Sequence, residues 1–324
     1  MTRVLLFTNT IAPYRLSVFE QLAQTIDLHV LFAQGRTADR RWDAALEKYD
    51  FQHAILPYRR LRWAGAAQFI HPDLWRRYLS GDFEVIILSD NRQTALSELL
   101  ISTLARIQRR PLIIWTGITP GESTVATSNR RLQRSFDRYR RWLFRRATAI
   151  IAYGSATQRH LIDWGITKDK IVSGTQIVPE DQLPSPAADK ADLGVRGKIV
   201  TLSVNYLLQR KGLDILIQAF KQVAGDDDIL VLVGSGPEEE RLRRLAGDDD
   251  RILFPGYQTG ARKTAWYAAA DLFAFPTLHD PWGLVVNEAM AFGLPIIATD
   301  AAGRPRTARF AAPLPSMSPI QARL

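Results

Sequence analysis

Residues 279–300 read HDPWGLVVNEAMAFGLPIIATD. Two acids, Asp280 and Glu288, stand eight positions apart with a Trp-Gly turn between them, and a buried-looking strand follows. The run LVVNEAMAFG predicts a helix that starts directly after Gly283. The first turn of a helix carries N–H groups without intrahelical partners, and an anion can accept from them and gain from the helix dipole. Gly283 would allow close approach to the backbone. Asp280 would lie just before this nest and Glu288 one to two turns inside the helix.

A carboxylate repels a phosphate but accepts hydrogen bonds from sugar hydroxyls. Two acids flanking one anion nest therefore suit a nucleotide sugar, with its diphosphate between two sets of hydroxyls. The plainer alternative keeps Asp280 as a helix cap and Glu288 on a solvated helix face. Upstream, QRKG supplies Arg210 and Lys211 just after the strand KIVTLSV, where cleft residues of an open α/β sheet belong. Two cations there could neutralise a diphosphate leaving group; the alternative is ordinary surface charge.

Working outward, strands alternate with helices through the second half: KIVTLSV, LDILIQAFKQV, DILVLVGSG, PEEERLRRLAG, RILFPGY, ARKTAWYAAA and DLFAFPT. The pattern is that of an α/β domain. VGSGP lacks the Lys-Ser/Thr of a phosphate loop and the third glycine of a dinucleotide fingerprint, so by itself it is a tight turn. Residues 181–197 are rich in proline, acids and alanine and read as a linker. The first half, residues 1–180, shows the same alternation through RVLLFTN, DLHVLFA, FEVIILSD, RPLIIWTG and TAIIAYGS. Its first loop, TIAPYR, holds Pro13, Tyr14 and Arg15. Arg15 is either a charge offered to an acceptor or phosphate or a helix-start residue after a turn-setting proline.

Between the fourth and fifth strands of the first half, eight arginines fall between Arg130 and Arg146 beside one acid, Asp137. Leu132, Phe136, Tyr139 and Leu143 follow helical spacing. Such a helix is either solvated, with arginine stems covering its flanks, or a basic face on anionic lipid with Trp142 and Phe144 dipping toward the interface. The chain of 324 residues, 46% hydrophobic and 23% charged, suits two soluble domains. It has no cysteine, which excludes disulfides and thiolate chemistry, and its five histidines lack metal-ligand spacing. The net charge of +9 favours an anionic partner. No nucleic-acid motif accompanies it, and no secretory leader or spanning segment is evident. A cytoplasmic protein, peripheral to the inner face of a membrane, is the expected setting.

Taken in order, RKG, VLVGSGP, FPGY, ADLFAFPT and DPWGLVVNEAMAFGLPIIATD resemble the retaining nucleotide-sugar glycosyltransferases of the GT-B class, over about residues 198–303. The first half is similar more loosely, through its opening strand, the PYR loop and WTG. The resemblance implies two Rossmann-like domains facing a cleft. It implies that Asp280 meets the donor sugar, Glu288 the ribose, and Lys211 the diphosphate together with the backbone of Gly283 and Leu284. Gly256 and Tyr257 would lie near the base, and Pro13, Tyr14 and Arg15 on the acceptor side. Three positions depart from the family pattern. The first acid is aspartate rather than glutamate. Asn205 and Tyr206 stand where an arginine is common, with Arg210 as its substitute. Thr116, in WTGITPG, stands near a place usually held by a histidine.

After Gly303 the chain reads RPRTARFAAPLPSMSPIQARL, with four prolines, four arginines and no acid. Relatives usually continue here with further elements, so the resemblance implies an incomplete second domain, a sheet lacking helices on one side and an exposed apolar patch. The expected reaction is glycosyl transfer with retention to a glycan or lipid-linked acceptor, with no metal and no cofactor beyond the donor. An epimerase on the same plan, or a truncated protein that only binds nucleotide or lipid, are the alternatives.

Overall fold

In the computed structural model the described residues are 1–35, 46–63, 66–119, 130–174, 190–280 and 282–299, with 178 and 301. The chain divides into two compact units, Met1–Gln176 and Ile177–Leu324.

The first unit runs β1 (Arg3–Thr10), α1 (Pro13–Ala23), β2 (Asp27–Gln34), β3 (Gln52–Ile55), the hairpin β4 (Arg59–Trp63) and β5 (Ala66–Ile70), α2 (Pro72–Ser80), β6 (Val85–Ser89), α3 (Ala95–Ile107), β7 (Leu112–Thr116), α4 (Arg130–Arg146), β8 (Ala149–Ala152), α5 (Ser155–Asp163) and β9 (Ile171–Ser173). Its sheet has the order β3-β2-β1-β6-β7-β8-β9, with every pair parallel. Successive residues of β1 enter opposite cores: Leu5 and Phe7 join one cluster, Val4 and Leu6 the other. Burial on both faces explains why β1 reads as a continuous apolar run rather than an alternating one.

The second unit runs β10 (Ile199–Val204), α6 (Leu213–Val223), β11 (Asp228–Val233), α7 (Glu239–Ala246), β12 (Ile252–Gly256), α8 (Gly260–Ala269), β13 (Leu272–Phe275), α9 (Leu284–Ala291) and β14 (Ile296–Ala298). Its parallel sheet is ordered β12-β11-β10-β13-β14. The chain steps outward from β10 to β12, then returns to the other side of β10 as β13. The loops after β10 and β13 therefore flank the point where strand order reverses, the usual ligand position of such sheets.

Two expectations are corrected here. Residues 190–197, assigned to a linker, pack onto the second sheet: Val195 is 1% exposed within its core, and Lys190 pairs with Asp271 at 2.6 Å. Nor, among the described residues, is either face of the second sheet without helices, although the edge strand β14 stays partly exposed. Leu216, Ile217 and Phe220 of α6 cover one side, and Trp266 and Tyr267 of α8 with Val286 and Ala289 of α9 cover the other.

Candidate active site

The loop after β10 is shaped from below by the VGSGP turn. Gly234 has φ 144, and a Cβ there would sit 1.7 Å from the carbonyl oxygen of Asn205. The turn can lie under residues 205–208 only without a side chain. Asn205 N–H donates to Val233 O and Leu207 N–H to Ser235 O, both at 2.9 Å. The chain then makes a short 3-10 turn, Gln209–Lys211, which delivers Lys211 inward, 8% exposed.

Lys211 Nζ donates to Asp280 Oδ2 at 2.6 Å and lies 5.2 Å from the centroid of the Phe275 ring. Arg210 Nη1 stands 3.6 Å from the same carboxylate oxygen and donates to His279 O at 2.7 Å. The backbone completes the clamp, with Leu278 N–H donating to Arg210 O at 2.8 Å. The switch point thus joins Arg210, Lys211 and Asp280. Burial pushes the Asp280 carboxyl up, but the Lys211 charge and hydrogen bond, the Trp282 N–H and Arg210 outweigh it, holding the carboxyl below its ordinary range. Burial, then Arg210, lowers the pKa of His279.

Asp280 does not cap α9. Its Oδ1 accepts from Trp282 N–H at 3.0 Å, closing a local turn, while Gly283 occupies the N-cap position and no side chain caps the helix. Gly283 has φ 77, and a Cβ would meet the Phe275 ring at 2.7 Å. Glycine is thus required by the turn and by packing, rather than only by a ligand's approach. The N-terminal turn of α9, starting at Leu284, adjoins the Asp280 turn.

Glu288 is 5% exposed, so it is no solvated surface acid. Lys263 Nζ donates to Oε1 at 3.0 Å and Tyr267 OH to Oε2 at 2.7 Å. Burial, reinforced by Glu288, raises the Tyr267 pKa well above its ordinary value, so the phenol stays a donor. Sequence reasoning missed this pair. The four-residue spacing of Lys263 and Tyr267 puts them on one face of α8, but nothing local points from them to a carboxylate on α9. Gly256 ends β12 with φ 78, and Tyr257 beside it is 42% exposed.

In the first unit, Pro13 opens α1 and Tyr14 follows it. Arg15 is 5% exposed. Its guanidinium lies over the rings of Trp115 at 5.1 Å and Tyr153 at 5.3 Å, and it donates to Tyr153 OH and to Thr8 Oγ1. It is built into the fold at the carboxyl end of β1. Thr116 is likewise committed internally: its hydroxyl donates to Asp90 Oδ2 at 2.9 Å and accepts from Ile118 N–H at 3.2 Å. Asp90 forms a buried two-point pair with Arg140, through Nε at 2.7 Å and Nη2 at 2.5 Å. Arg140 is therefore one of the eight helix arginines that faces inward. Phe144, expected at a lipid interface, is 0% exposed in the core, and Trp142 packs against that core. The helix turns its apolar stripe to the sheet because β7 and β8 need covering. Leu132 lies outside the residues whose side chains are described.

Comparison with known proteins shows what the chain is similar to. Residues 197–311 match the family described as Glycosyl transferases group 1. The lipopolysaccharide core biosynthesis glycosyltransferase LpsD of Rhizobium meliloti is 37% identical over 124 residues, 37% of this chain and 35% of that one. A GDP-mannose-dependent alpha-(1-6)-phosphatidylinositol monomannoside mannosyltransferase of Mycobacterium tuberculosis is 33% identical over 173 residues, 48% of this chain and 42% of that one. The chain thus spans well under half the length of these two relatives. The protein of the same description from Mycolicibacterium smegmatis is 27% identical over 329 residues, 94% of this chain and 82% of that one.

Among solved structures, Anabaena HepE in complex with UDP and glucose has a TM-score of 0.70 at 21% identity, covering 94% of this chain and 82% of that chain. WaaG, a glycosyltransferase involved in lipopolysaccharide biosynthesis, has a TM-score of 0.65 at 15% identity, covering 93% and 82%. The fold is GT-B. Residues 197–311 and the fold both resemble those of glycosyltransferases.

Proposed function

We propose that the chain transfers a glycosyl group from a nucleotide-sugar donor to a glycan or lipid-linked acceptor, with retention of configuration. The observation that carries this is the meeting of Lys211, Arg210 and Asp280 beside the uncapped α9 N-terminus, at the switch point of the second sheet. Two cations and a row of backbone N–H groups suit a diphosphate. Asp280 holds Lys211 in place until the diphosphate arrives to share it, and then accepts from donor-sugar hydroxyls. Glu288, fixed by Lys263 and Tyr267, is assigned the ribose. Gly283, Leu284, Gly256 and Tyr257 complete the donor side. Acceptor contacts are assigned to the first unit, around Pro13 and Tyr14, with Arg15 and Thr116 positioning that region from beneath.

In the reaction, the bond from the anomeric carbon to the diphosphate oxygen breaks, and the acceptor oxygen bonds to the same face. The acceptor proton passes to the departing diphosphate oxygen. Lys211 and the helix N-terminus stabilise the developing charge. The outward arginines of α4, among them Arg134, Arg138 and Arg145, suit an anionic membrane surface that would present a lipid-linked acceptor.

The test incubates the purified chain with nucleotide sugars, with and without glycan or lipid acceptors, and reads the product's anomeric configuration by NMR. Acceptor-dependent product of unchanged configuration is expected. A new sugar nucleotide formed from donor alone would instead identify an epimerase.

A further inference from the structure

We infer a second anion-binding site, in the first unit, that takes a phosphate group at the end of the sheet opposite the loops bearing Arg15 and Asp90. A groove of roughly 300 Å³ is lined there by Arg106, Arg109, Arg110, Arg146, Trp142 and Thr148, among others. Arg106 belongs to the last turn of α3 and Arg146 ends α4, while Leu112 and Ala149 begin β7 and β8. Ligands of open α/β sheets gather at the carboxyl ends of strands. This groove lies at the amino ends, whereas the first-unit residues assigned to the acceptor lie at the carboxyl ends of β1 and β7.

Its charge is unbalanced. Asp82 pairs with Arg110 at 2.7 Å, but among the described residues no carboxylate pairs with Arg106, Arg109 or Arg146. Arg146 lies over the Trp142 ring at 4.4 Å, which restrains its guanidinium plane. Thr148 Oγ1 accepts from Leu112 N–H at 3.1 Å, leaving the hydroxyl's own hydrogen for an acceptor. Guanidinium forks with a hydroxyl donor form a set matched to phosphate oxygens.

Cations also offset the partial negative charge at helix carboxyl ends, and α3 and α4 both end here. That accounts for Arg106 and Arg146 but not for Arg109. Arg109 N–H donates to Arg106 O at 3.0 Å, and Arg110 N–H to Ala105 O at 2.8 Å. This is the helix ending whose left-handed residue is normally glycine. Arg109 occupies that position with φ 56. A side chain kept where glycine would be less strained points to a use for its guanidinium.

The phosphate could come from a lipid headgroup or a soluble ligand, and the test separates them. The full chain is labelled at its tryptophan indole nitrogens. Trp142, assigned by Trp142→Phe, reports the groove, and Trp282 independently reports the donor site. Titration with sodium pyrophosphate at low salt is expected to shift the Trp142 signal saturably. Arg109→Gly should weaken that response about tenfold while keeping or raising Tm, since glycine relieves the backbone. Arg159→Gln, at an exposed position of α5 outside the groove, should leave it unchanged. If phosphatidylcholine vesicles containing phosphatidylglycerol also move the Trp142 signal and compete with pyrophosphate, the ligand is a headgroup. If pyrophosphate acts and vesicles do not, it is soluble. A Trp142 signal indifferent to pyrophosphate, or an Arg109→Gly variant that titrates like the parent, would overturn the site whatever Trp282 does.

Discussion

Lys211 and Asp280 form a nearly buried pair whose side chains are 10% and 13% exposed. Removing one partner of such a pair leaves a charge in a poor dielectric. Lys211→Met should therefore cost about 3 kcal/mol, lessened by Arg210 close by. The double variant Lys211→Met with Asp280→Leu should recover much of that loss, as urea unfolding would show through a large coupling between the sites. The Asp280 carboxyl titrates below its ordinary value. Its contribution is present above the unfolded pKa and is lost as pH falls through the lower folded one, so Asp280→Asn should flatten the acid limb of stability. Glu288→Gln keeps the volume but removes the charge that Lys263 faces. Weaker nucleotide-sugar binding with little change in fold is expected by calorimetry, and equal affinity would take Glu288 out of the site.

At the scale of elements, α4 decides between two readings of one amphipathic pattern. Its aromatic residues were legible as a stripe, but a stripe does not say whether protein or lipid covers it. The unrecognised factor was the sheet beneath, which takes Leu143 and Phe144 into its core. Phe144→Ala should lower stability by roughly 3–5 kcal/mol, measured by thermal unfolding. An unchanged Tm would return Phe144 to the surface. On α3, Glu98 is 1% exposed and accepts from Thr94 Oγ1 at 2.6 Å. Burial, then the Asp90 charge, raises its pKa well above the ordinary value. The folded state therefore keeps a proton that the unfolded chain releases near pH 4.3. Stability from this group falls as pH rises from there through the folded pKa. Glu98→Gln should make Tm less sensitive to pH over that range and raise it at pH 8; a steeper loss would contradict the assignment. The elements flanking the site were readable because strands buried on both faces and short helices alternate clearly from β10 to β14. The β4–β5 hairpin and α2 escaped notice, although Pro72 and Asp73 in HPDLWRRYLS mark a helix start.

For the whole molecule, motif order supported the GT-B plan, and the family resemblance, rather than spacing by itself, singled out Asp280 and Glu288. What spacing could not show is how those acids are held. Asp280 is tied by contacts from 69 positions upstream, and Glu288 by α8 residues 21 and 25 positions away. Such pairings come from strand order, which local patterns do not encode. The expected bare sheet face failed for the same reason: α8 and α9 pack on one side of the sheet although β13 separates them in sequence.

The central claim is a diphosphate held between Lys211 and the start of α9. It is tested most directly by a mass-spectrometric screen of nucleotide sugars retained by the parent chain and by Lys211→Ala. At least one nucleotide sugar should be retained by the parent and lose about tenfold or more in affinity in the variant. Retention of none by the folded parent, or equal retention by both proteins, would contradict it.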